Sequence, residues 1–123
     1  MIIGIGIDIT AIEKIEESIR SDAFQRTVFS PVELETVREY RNKAERLTGK
    51  FAAKEAFMKA LGAGIRQEVW FSQIDVLNDE SGKPYLKVSG EAAKRLETSG
   101  ATNVHVSISH SGGMAVAVVI LEG

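Results

Sequence analysis

The sequence contains no cysteine among its 123 residues. This absence excludes disulfide bonds, thiolate metal sites and a cysteine nucleophile, and it is compatible with a reducing compartment. Long hydrophobic runs are also missing, because the longest, Met114–Leu121, is far shorter than the about 20 residues of a membrane-spanning helix. The N-terminus has no positively charged segment and reaches Asp8 early. We therefore expect no signal peptide and a soluble, cytoplasmic protein.

Neither sign of charge dominates the sequence. The 15 lysine and arginine residues face 17 acidic residues, which gives a formal net charge of -2. This balance argues against bulk electrostatic binding to nucleic acid or to an anionic membrane, and we expect neither as a partner. A hydrophobic content of 44% and a charged content of 26% are typical of a globular domain. No repeat or linker is visible, so a single domain over residues 1–123 is expected.

Three common catalytic or nucleotide-binding patterns are absent. We find no defensible Ser-His-Asp arrangement. The segment Gly82-Lys83-Pro84 lacks the spacing of a Walker loop, and Gly4 and Gly6 lack the third glycine of a dinucleotide fingerprint. Any chemistry must therefore come from other residue patterns.

The N-terminal half begins with a strand pattern. Alternation over Ile2–Ile9 predicts a strand with an isoleucine face and a face of glycines and Asp8. Capping-box patterns predict a helix from Thr10 to about Arg20 and another from Ser30 to about Tyr40.

The longest helical pattern covers Lys43–Leu61 and is followed by Gly62 and Gly64 in the C-cap role. A stripe of alanines four residues apart suits close packing on this helix: Ala52, Ala56 and Ala60.

The C-terminal half alternates turn signals with short periodic segments. It predicts strands at Phe71–Leu77, Lys83–Val88, Val104–Ser109 and Met114–Leu121, a helix at Gly90–Thr98, and turns at 79–82 and 112–113. We conclude that the fold class is α+β, with an antiparallel sheet wrapped by three or four helices.

Three charged side chains suggest a site. Asp8 ends an apolar strand, where a carboxylate is costly to bury unless it is paired, hydrogen-bonded or metal-bound; it could also end the strand in solvent or cap the next helix. Glu55 and Lys59 share a helix face, and alone they would be a surface ion pair of ~0.3 kcal/mol. Together with Asp8 they could converge on a pyrophosphate and Mg²⁺.

A second group of polar residues surrounds the C-terminal turns. His110 lies in the serine-rich segment Ser107–Ser111, which offers donors to an anion or forms a polar turn with an exposed histidine. The Gly82-Lys83-Pro84 turn could carry only a solvated lysine. We expect His105 to be structural.

The order of these motifs along the chain is more specific than any one of them. The series resembles the holo-acyl-carrier-protein synthases, the short, single-domain branch of the phosphopantetheinyl transferases, and it covers essentially the whole chain. The matching segments are Gly4-Ile5-Gly6-Ile7-Asp8, Lys50–Ala60, Gly82-Lys83-Pro84 and Ser107–Ser111.

The resemblance implies a function and roles for single residues. Members of this family move 4′-phosphopantetheine from coenzyme A to a serine of apo-acyl carrier protein in fatty acid biosynthesis, need no nucleophile of their own, and form homotrimers with active sites between subunits. It implies Asp8 and Glu55 as catalytic Mg²⁺ ligands and Lys59 as a catalytic, phosphate-contacting lysine. It also implies that two segments hold the nucleotide end of coenzyme A: Gly82-Lys83-Pro84 and Ser109-His110-Ser111.

The chain departs from the family pattern in two places. Lys50 stands where the family usually has arginine, which weakens any bidentate phosphate contact there. The first helix, which is basic in the family and meets the acidic carrier protein, is largely acidic here. Other basic residues could supply the positive charge: Arg26, Arg38, Arg41, Lys43 and Arg46.

Three other functions are compatible with parts of the pattern. A non-catalytic module that binds coenzyme A or a nucleotide would use Lys83 and His110, but it would have no use for Asp8 and Glu55 together. A purely structural oligomer would not need glycines beside an aspartate. A larger, broad-range transferase is about twice this length.

Overall fold

The computed structural model describes residues 1–62 and 71–123, so the predicted cap residue Gly64 lies outside the described part. Within these residues the chain forms five strands and five helices. In chain order they are β1 (Ile2–Ala11), α1 (Ile12–Ser18), α2 (Asp22–Val28), α3 (Pro31–Val37), α4 (Lys43–Leu61), β2 (Ile74–Asn78), β3 (Pro84–Val88), α5 (Gly90–Ser99), β4 (Asn103–Ser111) and β5 (Met114–Glu122).

The strands form two antiparallel sheets. One has the order β1-β5-β4, and the other is the hairpin β2-β3. The long helix α4 packs across the larger sheet, and β3 contacts β4. The predicted α+β class is confirmed, although the strands are divided between two sheets and the described residues contain five helices rather than three or four.

Helix α4 packs closely on β1 because β1 has glycine at the contact. A methyl group at Gly6 would overlap the carbonyl oxygen of Ala56, and one at Gly4 would overlap that of Ala60. The alanine stripe therefore packs as closely as predicted, backbone against backbone. The isoleucines of β1 point the other way, and Ile7 is 61% exposed.

A buried ion pair fixes the opposite side of α4. The ammonium of Lys54 lies 2.5 Å from Oε1 of Glu33, and both side chains are fully buried. The same ammonium donates hydrogen bonds to the carbonyl oxygens of Val28 and Phe71, at 2.6 and 2.9 Å. Burial lowers the pKa of Lys54, and the charge of Glu33 opposes that shift.

The carboxylate of Glu33 also binds the backbone around it. Its Oε1 accepts a hydrogen bond from the amide of Ser30 at 3.0 Å, which completes the predicted capping box, and its Oε2 accepts one from the amide of Val76 at 2.8 Å. The pair thus joins α3 and α4 to the second sheet.

Several predicted element ends differ in the structure. The capping box at Thr10 is wrong, because β1 continues to Ala11 and Ala11 itself is the N-cap of α1. Helices α1 and α3 end before Arg20 and Tyr40. Strand β2 begins at Ile74, after a turn of 3₁₀ helix at 71–73. By contrast, α4 has the predicted bounds, and Gly62 ends it with a φ of 72°.

We expect Lys54→Met to lower the free energy of unfolding by about 3–5 kcal/mol, because it leaves the Glu33 carboxylate buried without its cation. Urea unfolding measures this loss. Lys94→Met is the matched control, since Lys94 forms an exposed pair with Glu91, and it should change the same free energy by less than about 1 kcal/mol. Equal effects of the two substitutions would contradict a structural role for the buried pair.

Candidate functional site

Asp8 lies on the face of β1 that packs against α4, and its side chain is 13% exposed. One oxygen, Oδ1, is 3.2 Å from the ammonium of Lys59, which also donates to the carbonyl oxygen of Ile7 at 3.0 Å. The other oxygen, Oδ2, accepts a hydrogen bond from the hydroxyl of Thr10 at 2.7 Å. Asp8 therefore neither ends its strand in solvent nor caps the following helix.

Glu55 is on α4, one helical turn before Lys59, and is half-buried. Gly4 faces Ala60 and Gly6 faces Ala56, so the strand and the helix run in opposite directions along their contact. The next inward-facing residue of β1 is Asp8, and it comes level with the helical turn that ends at Glu55. The structure thus brings Asp8 to Lys59 and places Glu55 on the neighbouring turn.

The carboxylates of Asp8 and Glu55 suit a hard divalent cation that takes only part of its ligands from the protein. Residues 1–62 and 71–123 contain no group of three or more His, Cys, Asp or Glu side chains that could hold a metal ion. Two carboxylates alone match Mg²⁺, which takes one or two carboxylates and completes its octahedron with water and phosphate oxygens. The side chain of Lys59 is 52% exposed, and its ammonium adds a positive charge beside Asp8.

A cleft of about 770 Å³ lies at the other end of α4. Its walls come from the end of α3, the first half of α4, the β2–β3 turn and the end of β4. Two predicted segments meet there, because Gly82 and Pro84 of the turn line the cleft together with His110. Gly49 of α4 lets the His110 ring approach, since a β-carbon at Gly49 would lie 3.2 Å from Nε2.

The turn itself is held by Asp79. Its carboxylate accepts hydrogen bonds from the hydroxyl of Ser81 and from the amides of Ser81 and Lys83. These bonds, that of the Ser81 hydroxyl above all, lower the pKa of Asp79. The predicted Lys83 therefore contributes to the shape of the turn through its backbone.

Sequence reasoning missed the aromatic lining of the cleft and offered Arg46 only as a docking residue for the carrier protein. Tyr40 and Tyr85 are lining residues, and the guanidinium of Arg46 lies 3.7 Å from the centre of the Tyr40 ring. The ammonium of Lys50 also lines the cleft but donates a hydrogen bond to the carbonyl oxygen of Val76, and burial lowers its pKa. A contact between residues in different elements leaves no local sequence pattern.

Ser109 and Ser111 are not in the cleft with His110. Successive residues of a strand point to opposite faces, so the two serines share the face of the exposed β1 isoleucines; Ser109 is level with Val116 and Ile9. His105 is on this face too, with its Nε2 2.9 Å from Oε1 of Glu122, and this hydrogen bond lowers the pKa of Glu122. This pairing agrees with the structural role expected for His105.

One helix carries both groups of residues. Lys50 and Lys59 are nine positions apart on α4, or about 14 Å along the axis. An elongated ligand with a polar end in the cleft could extend along α4 to the carboxylates. The fold and the site together suggest a class, an α+β protein whose carboxylates, basic side chains and cleft suit a phosphorylated ligand and a divalent cation.

The comparison with known families agrees with this class. Residues 4–119 match the 4′-phosphopantetheinyl transferase superfamily, and the chain belongs to that family. The resemblance read from the sequence motifs is therefore confirmed.

Individual relatives match over the full chain. The sequence is 46% identical to the holo-[acyl-carrier-protein] synthase of Trichlorobacter lovleyi, over 99% of this chain and 98% of that protein. The crystal structure of the holo-[acyl-carrier-protein] synthase of Neisseria meningitidis matches with a TM-score of 0.90 at 35% identity, covering 100% of both chains. That of Bacillus anthracis, in complex with coenzyme A (3′,5′-ADP), matches with a TM-score of 0.82 at 42% identity, covering 99% of this chain and 97% of the other.

Among the described residues, no helix is both long and apolar enough to cross a lipid bilayer.

Proposed function

We propose that this protein transfers the 4′-phosphopantetheine group from coenzyme A to a serine hydroxyl of apo-acyl carrier protein. The products are holo-acyl carrier protein and adenosine 3′,5′-bisphosphate. The relatives named holo-[acyl-carrier-protein] synthase, which match this chain from end to end, support this activity. The structural observation that supports it most directly is the contact between Asp8 and Lys59. Lys59 lies one helical turn after Glu55 on α4, and the first half of the same helix lines the cleft.

The reaction needs no nucleophile from this chain. The serine oxygen of the carrier protein attacks the phosphorus that bears pantetheine, a new P–O bond forms, and the P–O bond to adenosine 3′,5′-bisphosphate breaks. The proton of the serine passes to the Glu55 carboxylate or to a water molecule in the site. The absence of cysteine and of a catalytic triad is consistent with this chemistry.

Lys59 is suited to stabilise the departing bisphosphate. An ammonium has three N–H donors, and two of them are directed at the carbonyl oxygen of Ile7 and the carboxylate of Asp8. The third remains for a phosphate oxygen. A cation held in place before the reaction lowers the energy of charge that develops during bond breaking.

Asp8 and Glu55 are the residues that would hold Mg²⁺. When bound, the ion would withdraw negative charge from the pyrophosphate of coenzyme A. The two protein carboxylates leave most of its coordination positions to water and phosphate, as this cation prefers.

The cleft is suited to the nucleotide end of coenzyme A. Gly82, Pro84 and His110 line it, and the basic side chain of Arg46 lies at its wall. A phosphate in the cleft would meet this positive charge, and an adenine ring could contact Tyr40 or Tyr85. A module that only binds coenzyme A would need this cleft but not the carboxylates around Lys59.

We also propose a homotrimer, by likeness to the family and from the exposed face of the larger sheet. Ile5, Ile7 and Ile9 on the edge strand β1 are about 60% exposed, at 59%, 61% and 61%. Their cross-strand partners on β5 are also apolar, such as Val118 opposite Ile7. An apolar surface of this kind marks an interaction site. Copies of the chain on this face would bring Ser109 of one subunit towards its neighbour.

The same likeness supports a place in fatty acid biosynthesis and in the cytoplasm. Acyl carrier protein in its holo form carries the growing chain in that pathway, so the reaction precedes it.

The reaction is tested by the intact mass of apo-acyl carrier protein after incubation with this protein, coenzyme A and Mg²⁺. We expect a gain of one phosphopantetheinyl group and no gain in the presence of EDTA. Coenzyme A binding without any mass gain would instead support the non-catalytic module.

Replacing Asp8 tests its role at the metal. Asp8→Asn keeps the size of the side chain but removes its charge, so the Mg²⁺ concentration for half-maximal rate should rise by at least about tenfold. The control is Asp22→Asn on the exposed first turn of α2, which should leave it unchanged. An unaltered Mg²⁺ requirement in Asp8→Asn would remove Asp8 from the metal site.

Replacing Ile7 tests the assembly. Ile7→Lys puts a charge in the centre of the apolar face, so we expect monomers in analytical ultracentrifugation where the unmodified protein sediments as a trimer. Val32→Lys is the control, because Val32 is a comparably exposed apolar residue on α3, at 46%, and it should remain trimeric. A monomeric unmodified protein would contradict the assembly outright.

A further inference from the structure

Thr10 makes a contact that the mechanism above does not use. It lies on the inner face of β1, is only 7% exposed, and donates its hydroxyl hydrogen to Oδ2 of Asp8 at 2.7 Å. A buried hydroxyl without a partner is costly. The cross-strand neighbours of Asp8 and Thr10 are Ala117 and Ala115, whose methyl groups carry no polar atom. The carboxylate two residues away on the same face satisfies the hydroxyl.

The two oxygens of the Asp8 carboxylate have different hydrogen-bond donors. Oδ2 accepts from Thr10 and Oδ1 accepts from Lys59. An ionised carboxylate has about four lone-pair positions, so two donors leave room for a cation on the remaining ones. The torsion that rotates a carboxylate is soft when nothing holds it. Two donors on different oxygens fix the plane of the group.

The two donors differ in stiffness. The Lys59 side chain is 52% exposed and reaches Asp8 through a flexible four-carbon stem. Thr10 is β-branched, has a single side-chain torsion that carries its hydroxyl, and is buried on the same strand as its acceptor. Of the two, Thr10 is therefore the one that sets the orientation of the carboxylate.

We propose that Thr10 is a positioning residue for the divalent cation: its hydroxyl holds the carboxylate plane of Asp8 in the orientation that binds the metal. The proposal rests on the proposed function, because it takes Asp8 as a metal ligand. Hydrogen bonds to a ligating carboxylate tune metal affinity, and their loss typically costs about 10-fold or more.

The test uses Mn²⁺ as the probe and two substitutions of Thr10. Mn²⁺ is added to the protein in the presence of saturating coenzyme A, and the free Mn²⁺ is measured by electron paramagnetic resonance. Thr10→Val keeps the shape and the branched β-carbon but loses the hydroxyl, and Thr10→Ser keeps the hydroxyl. Thr27→Val on the exposed side of α2 is the control, since its hydroxyl donates to the carbonyl oxygen of Ala23 in its own helix.

We expect Thr10→Val to weaken Mn²⁺ binding about tenfold, with Thr10→Ser and Thr27→Val within about threefold of the unmodified protein. The Mg²⁺ requirement for phosphopantetheine transfer should move in the same order. Urea unfolding of each variant shows whether the native state persists. Restoration by serine is the readout that a purely packing role for Thr10 would not produce.

Two results would overturn the proposal, and they are distinguishable. If the unmodified protein transfers phosphopantetheine with Mg²⁺ but Thr10→Val binds Mn²⁺ as tightly, Thr10 has no positioning role and the proposed function stands. If the unmodified protein neither binds Mn²⁺ nor transfers the group, the proposed function fails and this inference fails with it.

Discussion

The site depends on one close contact, the backbone-to-backbone approach of β1 to α4. Gly6 permits it, because any β-carbon there would overlap the carbonyl oxygen of Ala56. Once the strand lies this close, Asp8 two residues later faces the helix and comes within hydrogen-bonding distance of Lys59. Without the glycines the strand would stand further from the helix, and a carboxylate and an ammonium 51 positions apart in sequence would not meet.

The same contact determines what the other face of β1 does. With its glycine face against α4, the strand turns its isoleucines outward. Strand β1 thereby has an inner face that carries the Asp8 carboxylate of the candidate site and an outer, apolar face suited to contact another protein surface. The homotrimer proposed above would use both faces, and the separation of His110 from Ser109 across the sheet is consistent with that proposal.

The buried Lys54–Glu33 pair holds the helix from its other side. Burying two charges is a weak source of stability, because desolvation opposes their attraction. The pair does, however, connect separate segments of the chain through Val28, Phe71 and Val76. Val76 is also a wall of the cleft. The pair thus fixes the Val76 wall of the cleft to α4, the same helix that carries Glu55 and Lys59.

Local patterns predicted the local structure well. The bounds of α4, the capping box at Ser30 and the hairpin turn at Gly112 each follow from residues close in sequence, and all three are found. The capping box predicted at Thr10 is wrong. Glu13 follows Thr10 at the spacing of a capping box, but the Thr10 hydroxyl donates instead to Asp8, which precedes it on the same strand face.

The remaining misses have a common physical reason. Lys54 sits in a charged segment, and only the folded chain supplies the Glu33 carboxylate that makes its burial tolerable. The lining of the cleft by Tyr40 and Arg46 likewise depends on contacts between elements. The coenzyme A contacts that the resemblance implies for Ser109 and His110 stay predictions, and strand alternation already places the two side chains on opposite faces of the sheet.

The most direct test is a crystal structure of the protein with coenzyme A and Mn²⁺, read through the anomalous signal of the metal. We predict one Mn²⁺ peak coordinated by a carboxylate oxygen of Asp8, a carboxylate oxygen of Glu55 and the pyrophosphate, with the nucleotide end in the cleft beside His110. A metal held away from both carboxylates, or coenzyme A bound away from α4, would contradict the proposed site.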